Sequence, residues 1–149
     1  GRIARNWIVD RIFDHCKETS FDGQPLSSDR FIQDKLIDIY IDAEIGRLFQ
    51  LRNYWMRHTG ANFTYEGPQA SYFRKTSGLR IATNILEILG PHALTNDEEI
   101  AVEEGHIEAH QRAAIIALHP GGTTDIQKVI MARRIGIGRE NKEKAGALK

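Results

Sequence analysis

The sequence predicts an all-α protein, an up-down bundle of four long helices with one more at the C-terminal end, and three observations carry that expectation. Apolar residues recur at steps of three and four along most of the chain. Glycine and proline gather at Asp22-Gly23-Gln24-Pro25, Gly67-Pro68, Gly90-Pro91 and Pro120-Gly121-Gly122, which cuts the chain into pieces of helical length. No piece sustains the period of two that a half-buried strand requires. At 149 residues and 41% hydrophobic content the chain has the size of one domain, large enough to bury a core without disulfides or a structural metal.

The first segment, about 2 to 17, sets Ile3, Trp7, Ile8, Ile12 and Phe13 against Arg5, Asp10, Arg11 and Asp14, one apolar side and one charged side. The second starts after Pro25, with Ser27 or Ser28 as N-cap, and runs to about His58, roughly 30 residues or about 45 Å of helix. It carries two apolar stripes. Leu36, Ile39, Tyr40 and Ala43 form one, and Ile37, Ile41, Ile45, Leu48 and Trp55 form another about 100° away. A helix apolar on two sides is covered on two sides, so this one is expected to serve both a core and a subunit interface.

The third segment has Pro68 at its first helical position and ends at Gly90-Pro91, with Phe73, Ile81, Ile85 and Ile88 on one face and Ala82, Leu86 and Leu89 beside it. The fourth opens at Thr95-Asn96-Asp97-Glu98, where Thr95 and Glu98 have the spacing of a capping box. Gly105 breaks it, leaving 107 to 118 as the continuous part. The fifth takes Thr123 or Thr124 as N-cap, pairs Thr124 with Gln127 in a capping box, offers Ile126, Val129 and Ile130 to the core, and closes near Gly136. The bundle thus occupies residues 1 to 138. Residues 139 to 149 form a charged tail without apolar anchors, expected to fray.

Twenty Lys and Arg balance twenty Asp and Glu, so no net field draws the chain to nucleic acid or to an anionic membrane, and both are excluded as general partners. No apolar run reaches the length of a membrane span. A single cysteine, Cys16, excludes an internal disulfide and fits a reducing, cytoplasmic setting. The start without methionine, in helical periodicity from the first residues, predicts a piece of a longer polypeptide.

The sharpest local feature is Gly121-Gly122-Thr123-Thr124-Asp125-Ile126-Gln127. Two glycines allow backbone N–H groups to converge, and the helix start that follows adds free amides and a positive dipole end. The same residues also describe an ordinary glycine turn with threonine caps. Glu103, His106 and His110 lie on one helical face, yet they lack the ligand order of a zinc hydrolase, so a solvated polar face is expected and no metal. His119 is expected to be a hydrogen-bonded structural residue, Cys16 an inert thiol, and Tyr54, Trp55, Arg57 and His58 core or interface residues.

Residues 122 to 134, Gly-Thr-Thr-Asp-Ile-Gln-Lys-Val-Ile-Met-Ala-Arg-Arg, resemble the C-terminal signature of the acyl-CoA dehydrogenases. Arg112-Ala113-Ala114, Glu87-Ile88-Leu89-Gly90 and Gln33-Asp34-Lys35-Leu36-Ile37-Asp38 fall at matching places, so the resemblance spans about 2 to 138. It implies the family's C-terminal helical bundle, a parent that desaturates an acyl-CoA with FAD as hydride acceptor, and a homo- or hetero-oligomer, dimer or tetramer. Thr123, Thr124 and Asp125 match positions that contact FAD. Gly121 stands where many members carry the glutamate base, so the resemblance implies no catalytic residue in this chain, which is expected to be inactive alone. Thr19, Arg30 and Pro91 stand where the family has an arginine, a glutamine and a glycine near the cofactor. These departures resemble a divergent, non-catalytic partner subunit of a heteromeric dehydrogenase, whose role is assembly. That is the alternative to a flavin-contacting domain.

Overall fold

The computed structural model describes residues 6 to 97 and 99 to 138. The elements run α1 (Trp7–Glu18), a two-stranded hairpin of β1 (Ser20–Phe21) and β2 (Gln24–Pro25), α2 (Arg30–Thr59), α3 (Glu66–Leu89), α4 (His106–Ile116) and α5 (Thr124–Arg134). Single 3-10 turns at Leu26–Ser28, Gly90–Leu94 and Val102–Gly105 link them. The all-α bundle is present, but only α2 and α3 are long. The tail from 139 onward and the first turn expected at 2 to 5 lie outside the described residues.

Each boundary has a local cause. Asn6 caps α1 by accepting from the Ile8 N–H at 3.3 Å. The hairpin was hidden in the sequence because its strands are two residues each. Asp22 and Gly23, at φ of 50° and 77°, make the tight left-handed turn between them. That turn and the 3-10 turn consume Ser27 and Ser28, and Asp29 caps α2 instead, accepting from the Ile32 N–H at 3.1 Å. In α3, Pro68 is the third residue rather than the first, still within the turn whose N–H groups need no helical acceptor.

The expected opening of the fourth helix at Thr95 does not form. The Thr95 hydroxyl accepts from Asp97 N–H at 3.1 Å and the Asp97 carboxylate from Glu99 N–H at 3.0 Å, two local turns that compete with a helix. Glu98 lies outside the described residues. Glu103 and Glu104 then take positive φ, and α4 begins only at His106.

α2 and α3 form an antiparallel pair, as a ladder of contacts shows. Lys35 pairs with Glu87, Asp42 with Arg80 at 2.6 Å, Phe49 packs against Phe73 with ring centroids 5.2 Å apart, and Arg52 donates to Gln69 at 2.7 Å. α4 runs antiparallel to α3, with the Gln111 amide on the Ala82 carbonyl and Lys75 at the far end of α4. The core gathers at one end of this assembly. Ile8, Val9, Ile12 and Cys16 meet Leu36, Ile39 and Ala43, with Ile81, Ile85 and Leu89 opposite and Ala93 and Ile107 closing the cluster. Three- and four-residue spacing places each set on one helical face.

The second stripe of α2 is open: Ile37, Ile41, Ile45, Leu48 and Trp55 are all exposed, while Tyr40, expected with the core, is also exposed. Of the core face expected on α5, only Ile130 is half-buried. Ile126 is 49% exposed and Val129 42%, and the residue that α5 buries is Gln127.

The turn between α4 and α5 as candidate functional site

The end of α4 tightens into the turn. Leu118 N–H donates to the Ile115 carbonyl and His119 N–H to that of Ile116, at 3.3 and 3.2 Å, and Pro120 cannot extend the helix. Gly121 and Gly122 follow at φ of 70° and 87°. A methyl group on Gly121 would meet open space. On Gly122 it would come within 3.1 Å of the Gln127 amide nitrogen and 3.2 Å of Ile126, so a side chain there requires both to give by a few tenths of an ångström on top of an unfavourable φ, and glycine suits the position. Thr123 caps α5, its hydroxyl accepting from Ile126 N–H at 3.4 Å, and Thr124 is the first helical residue.

The expected Thr124–Gln127 box is replaced by a longer reach: the Gln127 side chain donates to the Gly121 carbonyl at 2.8 Å. Beneath the turn lies Lys75, 1% exposed, whose ammonium donates to the Ala117 carbonyl at 2.6 Å and to that of Pro120 at 2.7 Å. Two buried polar side chains from α3 and α5 therefore hold three carbonyls of the turn. Lys75 had a signal in the sequence. It stands seven residues before Ala82, on the stripe that continues through Leu86, where a lone cation must find acceptors or stay out of the core.

What the turn offers outward is set by what it has already used. The N–H groups of Thr124 and Asp125 belong to the first helical turn and have no acceptor in the helix. The Asp125 side chain is exposed and engages Lys128 at 3.3 Å. A carboxylate there opposes a phosphate but leaves the amides of Thr124 and Asp125 available to a neutral acceptor of the kind a flavin ring edge presents. Ile115, Ile116, Ile126 and Val129, all exposed, give the flanking helices an apolar rim. Gly121 brings no group able to accept a proton.

The other candidate residues are engaged separately. His106 packs edge-on against Trp7 at 5.5 Å, Glu103 pairs with Arg11 at 3.3 Å, and the His110 Nε2 is buried without a partner. Among the described residues no three metal-ligating side chains converge. His119 is exposed, with no hydrogen-bonding partner for its side chain among the described residues, against the expected structural role. Tyr54 and His58 rings stack at 4.0 Å and Arg57 lies 5.0 Å over Phe63, but Tyr54 and Trp55 are exposed rather than core. Burial pushes the Cys16 thiol up to about 11, which keeps it protonated and unreactive near neutrality.

Residues 3–136 match the family model for the acyl-CoA dehydrogenase C-terminal domain. The chain belongs to that family. It is 27% identical over 127 residues to "Probable acyl-CoA dehydrogenase YngJ" of Bacillus subtilis, covering 85% of this chain and 32% of the relative. The chain thus spans about a third of the curated relative that it matches. Its fold matches that in the ChsE4-ChsE5 complex of Mycobacterium tuberculosis with a TM-score of 0.79 at 21% identity, over 94% of this chain and 38% of the other. The FAD complex of PigA gives 0.73 at 20% identity, over 87% of this chain and 32% of that one. No helix among the described residues is long and apolar enough to cross a membrane.

Proposed function

We propose that this domain serves an acyl-CoA dehydrogenase-type flavoprotein, desaturating an acyl-CoA, in which Thr123, Thr124 and Asp125 contact FAD and the outer face of α2 lies in an oligomer interface. The carrying observation is the α4–α5 turn: free first-turn N–H groups inside an apolar rim, on a loop tied down by Lys75 and Gln127. When bound, FAD supplies the hydride acceptor. The chain's own residues position and enclose. The Thr123 hydroxyl caps the start of α5, the amides of Thr124 and Asp125 donate to a ring acceptor, and the isoleucines of α4 and α5 flank that edge with apolar surface. A base for the α-proton comes from outside this chain. The family character of the chain, together with the FAD complex of PigA among the similar folds, supports this reading.

A second reading is a partner subunit that serves assembly, and specific residues favour it. Thr19, at the arginine position of the family's first loop, is neutral and is engaged with His15 Nε2 at 3.4 Å, and Pro91 has no N–H to donate. A native mass spectrum of the complete polypeptide, purified with any co-expressed neighbour, separates the two. One FAD per copy supports the cofactor-contacting domain. A mixed complex with flavin on half its subunits supports the assembly subunit.

A further inference from the structure

We propose that Lys75 is a positioning residue for the α4–α5 turn, aiming the backbone N–H of Gly121 at whatever the turn receives. The inference rests on the proposed reading of this turn as the side that faces a ligand. Its physical content is the geometry of a peptide plane. A trans peptide holds its carbonyl and its N–H on opposite sides, and the described residues contain no cis bond. Lys75 draws the Pro120 carbonyl inward at 2.7 Å, so the N–H of the same peptide, that of Gly121, points out of the loop. Gln127 draws the Gly121 carbonyl inward at 2.8 Å and turns the Gly122 N–H outward in the same way. Neither glycine N–H has a partner among the described residues.

Both glycines are free to rotate about φ and ψ, so the orientation of these peptides is not fixed by the local chain. It is fixed by the two tethers. Lys75 comes from α3, over 40 residues away in sequence. It is almost wholly buried, and its ammonium binds the Ala117 carbonyl at the end of α4 as well as that of Pro120, so it locks the turn to the helix before it. A shorter or neutral side chain leaves two carbonyls facing an apolar interior, and a peptide flip toward water relieves them. With Asp125 two residues into the helix, the outward amides suit a neutral acceptor oxygen rather than a phosphate.

The test is made on the complete natural polypeptide containing this chain, labelled with [15N]glycine and loaded with FAD as the probe. Gly121 and Gly122 resonances are assigned by substitution. In Lys75→Met the Gly121 resonance is expected to shift or split, while those of Gly23 and Gly60 stay in place, and FAD affinity falls tenfold or more. An unchanged Gly121 resonance overturns the proposal whatever FAD does. If the wild-type polypeptide binds no FAD, the reading of the turn as a cofactor contact fails, and the glycine resonances still decide the role of Lys75. Should Lys75→Met not fold, Lys75→Ala is prepared with n-propylammonium, which replaces the missing part of the side chain. Return of the wild-type Gly121 resonance with the amine supports the proposal, and its failure to return overturns it.

Discussion

Gly121 and Gly122 are adjacent, share positive φ, and differ in what surrounds them, which makes them a controlled pair. Gly121→Ala meets no atoms and pays only for its backbone, about 1 kcal/mol, whereas Gly122→Ala adds a collision with Gln127 and Ile126 and is expected to cost about 2 kcal/mol or more. Thermal denaturation of the two variants checks the order. His110 gives the second prediction at this scale. Desolvation holds its imidazole below the ordinary 6.5, and its Nε2 has no partner to offset that. Below pH 6.5 the unfolded chain therefore takes up a proton that the folded chain refuses, so stability is full above that pH and falls as the pH drops through the folded value. His110→Gln is expected to flatten this decline in urea melts between pH 7 and 5. Single residues were also where the sequence was least legible. Capping spacing, visible in one dimension, predicts a local box for Gln127. Its true acceptor, Gly121, became reachable only once the glycines had turned the chain back.

Among the elements, the long helices were legible and their starts were not. α2 and α3 follow from periodicity, since thirty and twenty-four residues of three- and four-step recurrence leave few alternatives. The N-cap of α2 moved from Ser27 or Ser28 to Asp29 because the Asp22-Gly23 hairpin and the 3-10 turn after it use up the serines. This shift has a measurable consequence. Asp29→Ala removes the acceptor for Ile32 N–H and is expected to cost about 1 kcal/mol, while Ser27→Ala stays within about 0.5 kcal/mol, as urea midpoints would show. Equal losses, or a larger loss at Ser27, would return the cap to the serine. The same competition explains the fourth helix. Thr95 and Asp97 satisfy neighbouring amides in local turns, so a capping-box spacing without a helix behind it was misleading.

At the scale of the whole molecule the decisive asymmetry lies in α2, whose inner stripe is the core and whose outer stripe is left exposed by the described residues. Leu36, Ile39 and Ala43 are buried, while Ile37, Ile41, Leu48 and Trp55 each expose about half their surface. The sequence showed both stripes, because periodicity reports that a face is apolar. It could not show which one this chain covers by itself, since that depends on where α1 and α3 pack. A continuous apolar band along a helix of about 45 Å is larger than scattered exposed leucines, and such a patch marks a contact surface. If that surface joins subunits, charge placed on it must separate them without unfolding them. Ile41→Glu with Leu48→Glu changes exposed positions on a helix that keeps its inner face, so the helical content is expected to persist and the melting temperature of the separated subunit to fall only modestly. Native mass spectrometry of the complete polypeptide is expected to show a lower stoichiometry for the double variant than for the wild type. An unchanged stoichiometry would assign the band to another part of the same polypeptide, and the oligomer interface would then have to lie on a different face of the bundle.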